Sequence, residues 1–158
     1  MRKSRHEQGR AFSCYVFTSD ARLLLTMRGQ AKKAWPGVWS DSCHGTPGVG
    51  ESTADAVVRA LRDELGFTTA VAELVLPDFH CLTTGELCHV YRVVTDEPPR
   101  PDPVEVGDFE WVDWADFVYA VSAGDLTVAP WCAPQVAALS SLGTDPVRWP
   151  PNGIASAA

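Results

Sequence analysis

The chain has 158 residues, 46% hydrophobic and 21% charged, enough to enclose a core within one domain. Its formal net charge of −7 argues against a surface built for nucleic acid or anionic membranes, so an anionic substrate requires a local basic pocket. No apolar run reaches membrane-span length, the first residues lack a signal-peptide core, and five scattered cysteines suggest neither a disulfide framework nor structural zinc; a cytoplasmic location is expected.

Residues 1–10, MRKSRHEQGR, read as a flexible basic arm. A strand is predicted over Phe12–Phe17, then a turn at Asp20-Ala21 and a second strand over Leu23–Met27. The next segment gathers Arg28, Lys32 and Lys33 in an otherwise acidic protein, and Trp35 and Trp39 bracket Pro36-Gly37, placed to floor a pocket.

From Gly45 to Phe67 the sequence GTPGVGESTADAVVRALRDELGF opens as a Gly/Pro-rich turn and continues as one amphipathic helix. Ser52 supplies an N-cap with Asp55 three residues on, and Gly66 is placed for a left-handed C-cap. Ala54, Val57, Val58, Leu61 and Leu65 form the expected apolar stripe. Positions 60, 63 and 64 share a face beside it, so Asp63 and Glu64 are expected to point together over the Gly-rich turn.

Beyond the helix, Val71–Leu76 reads as a strand or extended link, and PDFH leads into a turn near Thr83–Gly85. Glu86–Val94 alternates as a strand, EPPRPDP is a surface loop, and Asp108–Val112 is a further strand. Helices follow over Asp113–Ala123 and Pro130–Leu142, the second with Trp131 near its start. The tail from Gly143 is expected to be weakly ordered, which leaves residues 11–142 as the domain. Strands on both sides of the central helix imply an α/β fold with a mixed sheet sandwiched between helices.

The stretch from Gly45 to Phe67 resembles the Nudix box, with Gly45, Glu51, Arg59, Leu61, Glu64, Gly66 and Phe67 in register. Asp63 is a conservative replacement, and Ala60 stands where the pattern has a carboxylate. The resemblance implies that Glu64, with Asp63 and Glu51, binds Mg²⁺ or Mn²⁺ against a diphosphate, as hard cations require clustered carboxylates. An isolated acidic pair on a solvated helix face is the bland alternative.

Outside the box the chain is similar to the type I isopentenyl-diphosphate isomerase branch. The likeness is carried by Arg28, KKAWPGVW (Lys32–Trp39), PDF (Pro77–Phe79) and Pro130-Trp131. It implies a prenyl diphosphate as the small-molecule partner, held by Arg28 and Lys32. Trp131 would turn its π-face to a carbocation, although residue type alone fits a core tryptophan equally well. Trp39 and Cys81 (where the family has a tyrosine) join the substrate-binding set, and Glu86 matches the catalytic glutamate.

Other family positions differ. His44 occupies the place of the catalytic cysteine, Cys43 precedes it by one, and Thr46 and Thr84 replace a histidine and a glutamate ligand. Glu86 and His44 are therefore the expected acid–base residues, with a hydrogen-bonded loop histidine as the alternative for His44. The expectation is a metal-dependent enzyme acting on an isoprenoid diphosphate through carbocation chemistry: rearrangement, cyclisation or isomerisation. A Nudix-type hydrolase, an ordinary isopentenyl-diphosphate isomerase using Cys43 and a non-catalytic binder are the alternatives.

Overall fold

The computed structural model describes residues 10–81, 85 and 87–154. The elements in order are β1 (Arg10–Phe17), β2 (Arg22–Arg28), β3 (Trp39–Ser40), β4 (Cys43–Gly45), α1 (Thr53–Leu65), β5 (Glu73–His80), β6 (Leu87–Val94), β7 (Val106–Asp113), α2 (Trp114–Ala123) and α3 (Cys132–Ser140). Two 3₁₀ turns follow, at Pro146–Arg148 and Pro151–Gly153. Among the described residues no helix is long and apolar enough to cross a membrane.

The strands form one mixed sheet. β1 runs parallel to β6 along its whole length, and β5 lies antiparallel on the outer side of β6. On its other edge β1 pairs with β2 only at Phe17↔Leu23, after which β2 diverges to pair with β7. Residues 39–45 fill the wedge so opened, with β3 on β2 and β4 on β1. Ser42 stitches the two sides together: its N–H donates to the Cys14 carbonyl at 3.0 Å and its hydroxyl donates to the Leu24 carbonyl at 2.7 Å. Strand divergence with a polar insert is the geometry that opens a cleft in this sheet.

Helix α1 covers one face and α2 and α3 the other, which is the sandwich expected. Alternation along β1 divides its side chains: Phe12, Cys14 and Val16 face α1, while Ala11, Tyr15 and Phe17 face α2 and α3. Ser52 caps α1 by accepting from the Asp55 N–H at 3.1 Å, and Gly66 ends it at φ 73°. The buried stripe is rotated from the one expected. Ala56, Val57, Ala60, Leu61 and Leu65 face the sheet, whereas Ala54 and Val58 are exposed. Two small residues let the helix sit close to β1, a preference that hydrophobicity alone does not reveal.

Residues 143–154, the described part of the tail expected to be weakly ordered, are packed. Within residues 143–154, Trp149 is 2% exposed and meets Phe17 and Trp114 edge-on, with ring centroids 5.4 and 5.2 Å apart. Buried Arg92 donates to the carbonyls of Pro146 and Trp149 at 2.9 and 2.8 Å, and its other end pairs with Glu73.

Candidate functional site

A cleft opens where β2, the 39–45 insert and the end of α1 meet. Its walls include Thr26, Arg28, Lys32, Asp41, His44, Glu64 and Glu105. Gly29 explains how the basic loop reaches it. The Gly29 N–H donates to the Glu105 carbonyl at 3.0 Å, and a Cβ at this position would lie 2.0 Å from the Val104 carbonyl oxygen. Only glycine permits that approach, and it brings Lys32 beside Glu105.

The Lys32 ammonium lies between two carboxylates. It donates to Glu64 Oε1 at 3.2 Å and forms a close ion pair with Glu105. Burial pushes the Glu64 carboxyl up to about 7 against the pull of Lys32, whereas the Lys32 contact holds the more open Glu105 below its ordinary value. Of the two, the more enclosed carboxyl takes a proton first.

Mg²⁺ commonly takes one or two protein carboxylates and completes its shell with water and phosphate oxygens. The convergence of Glu64 and Glu105 fits that demand. Asp63 and Glu51 do not join them. Asp63 is a surface residue paired with Arg62 at 3.0 Å, and Glu51 takes Arg59 at 2.9 Å and the Gly48 N–H at 3.0 Å. The expected Glu64, Asp63 and Glu51 cluster is not gathered in this structure: helical geometry turns Asp63 outward and the turn ties Glu51 to Arg59. Among the described residues no three His, Cys, Asp or Glu side chains gather in a metal-binding group.

On the other wall, Trp131 is 4% exposed and closely covered. The His44 imidazole stacks on it at 3.9 Å and 12°, and the Arg28 guanidinium carbon lies 5.0 Å from its ring centroid. Its indole N–H donates to Asp41 Oδ1 at 3.1 Å. Beneath His44 runs a buried polar chain. Tyr15 donates to Gln135 Oε1 at 2.8 Å, Gln135 Nε2 donates to Ser13 Oγ at 3.0 Å, and Ser13 lies 2.8 Å from His44 Nδ1. Ser13 Oγ accepts from Gln135 and also lies against Asp41, so the Ser13–His44 contact fits either imidazole tautomer. Burial, then the Arg28 and Lys32 charges, push His44 down to about 3, so the ring is neutral at ordinary pH.

A NUDIX domain model matches residues 7–132. The chain belongs to the Nudix family. Its similarity is high to proteins named isopentenyl-diphosphate Delta-isomerase. That of Saccharopolyspora erythraea is 42% identical over 147 residues, covering 89% of this chain and 76% of that protein. That of Rhizobium rhizogenes is 40% identical over 148 residues, covering 89% and 71%. These relatives place this Nudix protein in the isopentenyl-diphosphate isomerase-like branch. The crystal structure of DR0079 from Deinococcus radiodurans superposes with a TM-score of 0.71 at 21% identity, over 84% of this chain and 83% of that one, and supports the Nudix fold.

Within this Nudix site the structure brings together Arg28, Lys32, Glu64, His44 and Trp131. Others fall elsewhere. Trp39 is half-buried against the α2/α3 core and Cys81 is 1% exposed within it; neither lines the cleft, because both serve packing. Trp35, expected beside Trp39 in a pocket floor, is 51% exposed. Cys43 packs beside Cys14 toward α1, on the face opposite to the His44 side chain as alternation on a strand requires, yet it also borders the cleft near Glu64. Glu86, Thr84 and residues 1–9 of the basic arm lie outside the described residues. Sequence reasoning missed Asp41, Glu105, Ser13 and Gln135. An aspartate between Trp39 and Cys43 in a buried stretch was the one visible signal; Glu105 follows a proline-rich loop and carries none.

Proposed function

We propose that this Nudix protein acts on the hydrocarbon portion of an isoprenoid diphosphate, moving a double bond or driving a related rearrangement or cyclisation through a carbocation. The observation that carries this reading is the single cleft where Arg28, Lys32 and Glu64 meet the Trp131–His44 stack. One end suits a diphosphate, through charge-assisted hydrogen bonds from two cations. The other is aromatic and largely shielded from water. The isomerase names of relatives at about 40% identity support the same substrate class.

Arg28 and Lys32 grip the phosphate oxygens. Glu64 and Glu105 would hold Mg²⁺ or Mn²⁺, whose charge, when bound, neutralises the diphosphate. Lys32 then exchanges its carboxylate partners for phosphate. Neutral His44, held by Ser13, borders the substrate and does not deliver a proton as imidazolium. Trp131 shapes this wall through His44 and Arg28. Glu86, which the resemblance makes catalytic, lies outside the described residues.

Hydrolysis is less well supported. Ala60 faces the core in place of the box carboxylate, and Asp63 turns to the surface. The test is incubation with prenyl diphosphates of several chain lengths plus Mg²⁺, following carbon skeleton and phosphate release together. Altered skeletons or shifted double bonds without stoichiometric phosphate support the proposal; phosphate release from unchanged chains overturns it.

A further inference from the structure

Asp41 lies where β3 hands over to β4, 1% exposed, and contributes to the cleft wall. Its Oδ1 is committed twice, accepting from Trp131 Nε1 and from the Ser40 hydroxyl. Its Oδ2 is buried and has no hydrogen-bond partner among the described residues. An ionised carboxylate oxygen left bare in such a place is costly, whereas a neutral carboxyl is tolerated. Because donors already occupy Oδ1, the proton of the neutral form belongs on Oδ2.

We propose that Asp41 is a catalytic residue, the acid whose Oδ2 proton is delivered to the double bond of the isoprenoid substrate. The inference rests on the isoprenoid-diphosphate reading above and names the proton donor within it. In the forward step the Asp41 O–H bond breaks, and the alkene π pair forms a new C–H bond. The adjacent carbon is left cationic and Asp41 becomes a carboxylate. That carboxylate then takes a proton from a neighbouring carbon, the C–H pair closes the shifted double bond, and the acid is restored. Atoms and charge balance without a co-reactant, and no thiol is needed. Trp131 Nε1 and Ser40 stay on Oδ1 throughout and stabilise the carboxylate between the two steps.

The groups facing Asp41 from neighbouring elements are Arg28 of β2, Tyr15 of β1, Cys132 of α3 and, on its own segment, Cys43 and His44. Burial raises Tyr15 and Cys132, and a Cys14 contact with burial raises Cys43. Arg28 is the cation among them. Burial itself pushes Asp41 up to about 6, against Ser40, Trp131, a looser Ser13 contact and the Arg28 charge.

Asp41→Asn keeps the shape and the Oδ1 acceptor but removes the acid. The expected result is a kcat loss of at least ~100-fold with KM changed less than about threefold, and loss of deuterium uptake from D₂O into product. A kcat within about fivefold of native overturns the assignment and leaves the substrate reading standing. A native enzyme that converts no prenyl diphosphate overturns both. If the variant does not fold, the pH profile decides: a fall of kcat as pH rises through about 6 that persists in Glu64→Gln supports Asp41 as the acid, and a flat native kcat from about pH 5 to 8 overturns it.

Discussion

Lys32 holds two carboxylates in the cleft, so its loss does more than subtract one positive charge. In Lys32→Met, Glu64 and Glu105 face each other unpaired, and an incoming diphosphate meets net negative charge. KM for the diphosphate is expected to rise at least ~10-fold, from loss of a charge-assisted bond of about 1.5–3 kcal/mol. Steady-state kinetics at fixed Mg²⁺ will show it; an unchanged KM would place the diphosphate elsewhere. His44 gives a test by pH. Its folded-state pKa, about 3, lies below the ordinary 6.5, so the unfolded chain binds a proton that the folded one refuses. Stability from this group is therefore lost as pH falls below about 6.5. His44→Gln removes that loss, and the variant should gain on native by up to about 1.4 kcal/mol per pH unit between pH 6 and 4, measured by urea unfolding. Glu64 and Asp41, raised to about 7 and 6, work in the opposite sense in native and variant alike, so the difference between the two proteins isolates His44. Arg28, Lys32 and His44 were legible because a motif spaced them. Asp41 and Glu105 were not, because their importance comes from burial and from contacts made across the fold.

The site depends on two elements whose sequences differ in how much they disclose. Helix α1 was readable at both ends, since Ser52 and Gly66 are capping residues. Its buried face was not, because Ala56 and Ala60 contribute close approach instead of hydrophobicity. That difference matters at Ala60, where the box pattern has a carboxylate. Ala60→Glu would force a longer, charged side chain against β1 and is expected to cost several kcal/mol, on the order of 3–5, without creating phosphohydrolase activity. Equilibrium unfolding and a phosphate-release assay check the two halves; a stable, hydrolytic variant would contradict this packing. The second element is the β3–β4 insert. Its alternation puts His44 and Cys43 on opposite faces, which β-strand periodicity foretells, while the wedge it fills arises from divergence of β2 and no local pattern announces it.

At the scale of the molecule, the mixed sheet between helices was legible from the order of periodic segments, and the packing of residues 143–154 was not. Residues 143–154 are rich in proline and small residues, a composition that resembles a loose tail. One tryptophan reverses that reading by completing a ring cluster with Phe17 and Trp114. Trp149→Ala is expected to destabilise the fold by about 3–5 kcal/mol in denaturant unfolding, with little effect on KM. In the proposed reaction one cleft holds the diphosphate intact while a proton enters and leaves the hydrocarbon. A single sample decides this most directly: the protein, Mg²⁺ and isopentenyl diphosphate in D₂O, followed by ³¹P and ²H NMR. Deuterium appearing in the carbon chain while the diphosphate resonances persist is the predicted result. Growth of phosphate signals with no deuterium on carbon would contradict it.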